Sequence, residues 1–250
     1  MGRDLTADPG RGSTNGSLLV EFVGLPGAGK STLATRVVEA LQTQEIYPCS
    51  PVAEINCRST FNRLTSKTMY AGRSGLTRPL ITSAAIRTTG FRRLFSTGDS
   101  RSVLFNWLFI HGVIERYRRS EDVVILDQGL LQAYWSARLS ETDAFCNHIR
   151  WGILDKYAHT PILVVNIQVS PETIQTRLDD RDPNPSRVKP DQEGKYSITD
   201  ATQAYTRTRD LMNSVAKQND NAESLTISNE NMEDIEPNVK KISGRIQTLL

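Results

Sequence analysis

The sequence predicts an α/β fold, a parallel sheet with helices on both faces, and three observations carry that prediction. Short apolar runs alternate with stretches of helical periodicity along the chain. A glycine-rich turn joins the first apolar run to the first helical stretch. A later run, Val123-Val124-Ile125-Leu126, ends abruptly in an acid, Asp127. A chain of 250 residues suits one domain, or one domain with a lid.

The elements follow in order. Residues 1–16 are polar and glycine-rich and read as a disordered tail, without the apolar stretch of a signal peptide. The first strand is expected near 18–23 and its helix near 30–43, with Leu33, Val37, Val38 and Leu41 on one side. A second, weaker strand is expected near Ile46 to Glu54. Residues 59–100 mix Ser, Thr and Arg with short apolar groups. Helices there are expected to break near Gly72, Gly75, Pro79, Gly90 and Gly98. From Ser102 to Arg119 the apolar residues Val103, Trp107, Ile110, Ile114 and Tyr117 recur at helical spacing. A third strand covers 123–126, a helical region 129–157, and a β-prone run Ile162 to Val169. Ser170-Pro171-Glu172 opens the next helix: Ser170 suits the N-cap, Pro171 the first helical position, Glu172 the positive helix end. Asp182 to Gly194, with Pro183, Pro185 and Pro190, reads as a loop. A helix at 199–217, a strand at 224–228 and a helix at 232–249, with Asn231 as cap and Asp234 three positions on, complete about five strands.

Composition excludes some classes. No run of about 18 apolar residues exists, so no membrane span is expected. Cys49, Cys57 and Cys146 have no metal-type spacing and read as free thiols of a reducing cytoplasm. His111, His148 and His159 are scattered and read as structural. Net charge is +2, but residues 58–119 hold eleven Arg and Lys67 against Asp99 and Glu115, a local excess of +10. Such polarisation suggests an anionic partner, or a set of solvated helix faces.

The glycine turn is Gly24-Leu25-Pro26-Gly27-Ala28-Gly29-Lys30-Ser31-Thr32, the P-loop pattern in its strand–loop–helix context. Its glycines allow successive N–H groups to turn inward around a phosphate, and the helix N-terminus adds donors and a positive dipole end. Lys30 is expected to reach the β- and γ-phosphates and Ser31 to face Mg²⁺. Asp127 stands at the C-terminal edge of a buried strand, where ligands of open α/β sheets bind. There it can hold Mg²⁺, take a proton from an attacking hydroxyl, or cap the next helix. Glu54, after the expected second strand, is a candidate base or an ordinary loop glutamate. Arg177 and Arg181 share a helix face, and Arg187 and Lys189 lie in the loop beyond. They can close over transferring phosphates or pair with Asp179, Asp180 and Asp182. Gln128, Gln132, Tyr134, Trp135 and Arg138 can face an acceptor pocket, although Trp135 equally suits the core. Glu21 sits inside a strand that should be buried, so an Arg neighbour is expected.

With these residues in place, the chain resembles the P-loop small-molecule kinases of the nucleoside and nucleotide kinase superfamily. It looks most like the thymidylate kinase and deoxynucleoside kinase branch. Three motifs carry the resemblance: Gly24 to Thr32, the strand ending Asp127-Gln128-Gly129, and Pro171-Glu172 leading to Arg177 and Arg181. It implies a P-loop NTPase three-layer sandwich with a five-stranded parallel sheet of order 2-3-1-4-5. It also implies a lid at about 179–196, ATP with Mg²⁺, and an acceptor site under helices of 56–120. Glu54 falls where deoxynucleoside kinases place a catalytic glutamate, and Asp127 where the branch begins an acid–Arg motif. Gln128 departs from that Arg, and a neutral amide cannot pair with a phosphate as Arg does.

The leading expectation is an ATP-dependent kinase acting on a small-molecule acceptor, with Lys30 and the loop amides on the phosphates. Ser31 and Asp127 hold Mg²⁺, Glu54 or Asp127 orients the acceptor, and Arg177, Arg181 and Arg187 close over the transfer. Gln128, Gln132 and Arg138 would meet the acceptor. The basic segment motivates a second reading, a kinase of nucleic-acid 5′ ends. A third is a regulatory ATPase or switch that binds a partner protein through 58–119. No guanine-specifying Asn-Lys-x-Asp segment appears, which leaves ATP as the default. The apolar helix 103–117 can pack on the sheet or form a homodimer.

Overall fold

The computed structural model describes residues 17–77, 98–117, 123–140, 143–180 and 196–250. Strand β1 (Leu18–Val23) runs into helix α1 (Lys30–Gln42) through the glycine turn. Helices α2 (Pro51–Asn56), α3 (Thr60–Thr77) and α4 (Gly98–Tyr117) precede strand β2 (Val123–Leu126). Then come α5 (Leu130–Ser140), α6 (Asp143–Tyr157), β3 (Ile162–Gln168), α7 (Pro171–Asp179), α8 (Ile198–Gln218) and β4 (Ala222–Ser228). A short 3₁₀ turn, Met232–Asp234, leads to α9 (Ile235–Leu249).

The sheet is parallel, with β1 between β2 and β3 and β4 outside β3. Alternation along β1 divides the core. Leu18, Val20 and Phe22 face α1 and α9. Leu19 and Val23 face the larger cluster built from α3, α4, α5, α6 and α8. Helix α5 lies deep in that second layer, and Leu130 to Trp135 are all buried.

Four strands form the sheet among the described residues, not five. The expected strand at 46–54 is reduced to Cys49, whose N–H donates to the carbonyl of Val123 (2.9 Å) and whose carbonyl accepts from Ile125 N–H (2.8 Å). Pro48 and Pro51 bracket it. Neither can donate to a ladder, and Pro51 opens α2 instead. The expected breaks at Gly72 and Gly75 do not occur, because α3 runs through both. A helical glycine costs only about 1 kcal/mol against alanine, and the packing of α3 on α4 outweighs it. At the crossing Gly112 lets α4 approach so closely that a Cβ there would fall on the Tyr70 carbonyl. The expected breaks at Pro79 and Gly90 and the 1–16 tail lie outside the described residues, and Gly98 begins α4.

The helical stretch expected at 129–157 is two helices, α5 and α6. The predicted cap at Ser170 holds, its Oγ accepting from Thr173 N–H (3.3 Å), whereas Asn231 precedes the 3₁₀ turn and not α9 itself, its N–H donating to Asp234 (2.8 Å). In α4, Val103, Trp107, Ile110 and Ile114 are buried inside the chain. That apolar face is therefore spent on the fold and is not offered to a second copy. No helix of the described residues is long and apolar enough to cross a membrane.

Candidate phosphate-binding and acceptor site

The glycine turn closes at the C-terminal edge of the sheet. Gly27 and Gly29 take φ of 85° and 90°, the left-handed region that side chains rarely enter. Lys30 Nζ folds back over the loop and donates to the carbonyls of Gly24 (2.8 Å) and Leu25 (2.9 Å). Ser31 Oγ donates to Asp127 Oδ2 at 2.9 Å, bringing together two residues 96 positions apart. Asp127 Oδ1 is buried and has no hydrogen-bond partner. A hydroxyl and a carboxylate with an unused buried oxygen are hard oxygen donors of the kind that bind Mg²⁺, which keeps most of its waters.

Three further residues brace the loop from outside. Arg177, on α7, donates from Nη1 to the Gly27 carbonyl (3.2 Å) and from Nη2 to the Glu230 carbonyl (3.0 Å). Asn229, 3 % exposed, donates from Nδ2 to the Ala28 carbonyl (2.9 Å). Glu230 itself accepts from Ser170 N–H (2.7 Å) and Ser170 Oγ (3.0 Å), so the turn after β4 is pinned to the start of α7. Among the described residues, Arg177 thus meets backbone carbonyls of two turns. Asn229 and Glu230 escaped the sequence reading, although their place just past β4 is the same sheet edge that marked Asp127.

Glu21 is 0 % exposed, and its partners are not the expected Arg. Its Oε1 accepts from the N–H groups of Leu131 (2.7 Å) and Gln132 (3.1 Å), and its Oε2 from the Tyr157 hydroxyl (2.6 Å). The carboxyl caps the N-terminus of α5, where four amides lack intrahelical partners and the dipole is positive. Gly129 makes room for it, since a Cβ there would overlap the carboxylate. Burial raises the Glu21 pKa from 4.5 to about 7, against the opposing hydrogen bonds from Tyr157 and the α5 amides. Burial and the Glu21 charge push the Tyr157 hydroxyl well above its ordinary value. From α5, Gln132 Oε1 in turn accepts from Gly24 N–H at 3.4 Å, so the capped helix touches the loop.

A cleft of about 530 Å³ opens beside the loop. Gly27, Lys30 and Ser31 form one wall, and Lys67, Phe105, Asn106, Gln128, Gln132 and Trp135 line the rest. Gln128 and Gln132 therefore both line the cleft beside the loop. Trp135 does both things asked of it, lining the cleft while 6 % exposed and donating from Nε1 to the Ala201 carbonyl (3.0 Å). Other candidates fall elsewhere. Tyr134 is buried and not among the cleft residues. Arg138 pairs with Asp143 at 2.6 Å on the far part of α5. Glu54 lies exposed in the first turn of α2 and does not line the cleft, because the strand meant to deliver it never forms. Arg181, Arg187, Lys189 and nearly all of the 179–196 lid lie outside the described residues.

Comparison with curated proteins finds no match to this chain. Among solved structures, the chain is similar to shikimate kinase from Bacteroides thetaiotaomicron at 14% identity and a TM-score of 0.39, covering 92% of this chain and 98% of that one. A family model described as AAA domain matches residues 19–195, a span that holds the glycine loop, Asp127 and Arg177. With the phosphate loop formed at the sheet edge and most of the chain inside that match, the chain belongs to the AAA domain family and is a P-loop NTPase.

Proposed function

We propose that this protein is an ATP-dependent kinase that transfers the γ-phosphoryl group to a small-molecule acceptor, a nucleoside, nucleotide or related metabolite. One observation carries the reading: the cleft does not end at the phosphate loop. Its lining runs on from the loop residues to residues of α3, α4 and α5, so the same cleft that takes the phosphates has a second, non-loop lining that a small molecule can meet. Hydrolysis alone needs room only for water beside the γ-phosphate.

In this reading the loop amides and Lys30 hold the phosphates, and Lys30 leaves the Gly24 and Leu25 carbonyls to do so. Ser31 and the unused oxygen of Asp127 hold Mg²⁺, which supplies charge neutralisation when bound. Gln128, Gln132 and Asn106 offer hydrogen bonds to the acceptor. The acceptor hydroxyl oxygen bonds to the γ-phosphorus as the bond to the bridging oxygen breaks, ADP leaves, and the hydroxyl proton is released. Asp127, bonded to Ser31 of the loop, is the carboxylate this reading assigns to the centre. Such a transfer relies on positioning and charge stabilisation more than on a strong base.

The test is ATP consumption with Mg²⁺ across nucleosides, nucleoside monophosphates, sugars and short oligonucleotides, with Lys30→Ala alongside. Stimulation by one class, lost in the variant, is the expected outcome. Turnover unchanged in Lys30→Ala would refute the assignment. Lys30-dependent hydrolysis stimulated by no acceptor would favour a regulatory ATPase.

A further inference from the structure

Lys67 entered the sequence reading only as one charge among many, and the fold gives it a specific place. It sits on α3 and lines the same cleft as the phosphate loop. Among the described residues, the charged side chains lining the cleft are Lys30 and Lys67, with no carboxylate. Lys30 belongs to the nucleotide phosphates. Lys67 is thus a second cation in a chamber that the nucleotide loop does not require.

The ammonium is held, not trailing in solvent. Its Nζ lies 5.2 Å from the centroid of the Phe109 ring, which is fully buried in α4. A cation over an aromatic face gains modestly and is oriented by it. Burial and the like charge of Arg63, one turn earlier on α3, both disfavour the charged form, and Asp127 opposes them. Asp127 has an oxygen bonded to Ser31. A half-buried ammonium with a cationic neighbour is a site that an oxyanion would stabilise. Gln128, which also lines the cleft, is neutral, so it adds no competing charge beside Lys67.

We infer that Lys67 forms an anion subsite for the acceptor, so that the molecule receiving the phosphoryl group carries a phosphate ester or a carboxylate. This rests on the kinase reading above for the word acceptor, while the anion subsite itself is open to a binding measurement that needs no turnover. The anion binds at Lys67, with Arg63 beyond it, and the acceptor hydroxyl then points back toward Lys30 and Ser31.

The experiment uses the full chain saturated with Mg²⁺ and ADP, so that the phosphate loop is filled. Matched pairs are titrated calorimetrically: a nucleoside monophosphate and its nucleoside, a sugar phosphate and its sugar, a hydroxy acid and its amide. At least one anionic member should bind ~10-fold or more tightly than its neutral partner, and the phosphate and carboxylate arms identify which oxyanion is taken. Lys67→Gln should weaken that binding ~10–100-fold, the usual worth of one charge-assisted hydrogen bond. Lys67→Arg should restore most of it, and ADP affinity should stay within about twofold in both. Equal binding of neutral and anionic members, binding unaffected by Lys67→Gln, loss of ADP affinity instead, or no anionic probe bound would each overturn the subsite. If the anionic probe binds through Lys67 but raises ATP turnover with none of the pairs, the subsite stands and the kinase reading fails. If a neutral acceptor is phosphorylated as well as its anionic partner, the kinase reading stands and the subsite fails.

Discussion

Replacing Glu21 with Gln should make the protein more stable at pH 8 while changing it little near pH 4. The carboxyl is completely buried, and burial raises its pKa from 4.5 to about 7. Between those two values the folded protein retains a proton that the unfolded chain has released. Stability therefore falls as pH rises through that window and stays at the lower level above pH 7. At about 1.4 kcal/mol per pH unit, the full change is about 3 kcal/mol. A neutral Gln can keep the geometry: its oxygen accepts from the Leu131 and Gln132 amides, and its amide donates to the Tyr157 oxygen. Urea unfolding of both proteins between pH 4 and 8.5 isolates the effect, because every other titrating group is common to the two. The difference should grow by about 3 kcal/mol in favour of Glu21→Gln, or about 6–12 °C in Tm for a chain of this length. A difference that is constant across pH, or a variant less stable than wild type at pH 8, would refute the account. The protonated carboxyl, not an ion pair, would then no longer be the form the fold prefers.

Two other substitutions probe how the site is supported. Gly112→Ala drives a methyl into the Tyr70 carbonyl and should cost at least about 2 kcal/mol in urea unfolding, since backbone from two packed helices must separate. A neutral result would mean that α3 and α4 do not cross this closely. Arg177→Ala removes the donors of the Gly27 and Glu230 carbonyls and should weaken ATP binding ~10-fold by loosening the loop, a loss of the size expected for charge-assisted hydrogen bonds. Unchanged ATP affinity would show that Asn229 and the loop glycines suffice.

Much of the fold was legible because its signals are local. The β-prone runs at 18–23, 123–126 and 162–169 became strands, the last ending one residue early at Gln168, and Ser170 capped the helix whose first position Pro171 fills. The run at 46–54 misled because strand propensity says nothing of two prolines that withhold ladder donors. Gly72 and Gly75 misled in the other direction, since a small local penalty is overridden once α3 packs on α4. Gln128 and Gln132 were found at the cleft because they follow a strand-end acid. Arg138, in the last turn of the same helix, was not separable from them by sequence and turned away to Asp143. Glu54 failed with the strand that was to carry it.

What the sequence determined by itself is the phosphate chemistry. A glycine loop needs only its own backbone freedom and the helix that follows, so nine consecutive residues announce it. Asp127 was readable for a similar reason, because four apolar residues followed by an acid describe a strand end. The tertiary structure alone decided the rest of the site. Glu21 meets amides 110 and 111 residues away and a hydroxyl 136 residues away. Asn229 braces a loop carbonyl 201 residues distant, and Lys67 faces the cleft only because α3 lies against α4. Such partners are set by which helix packs on which face of the sheet, and no local spacing encodes that.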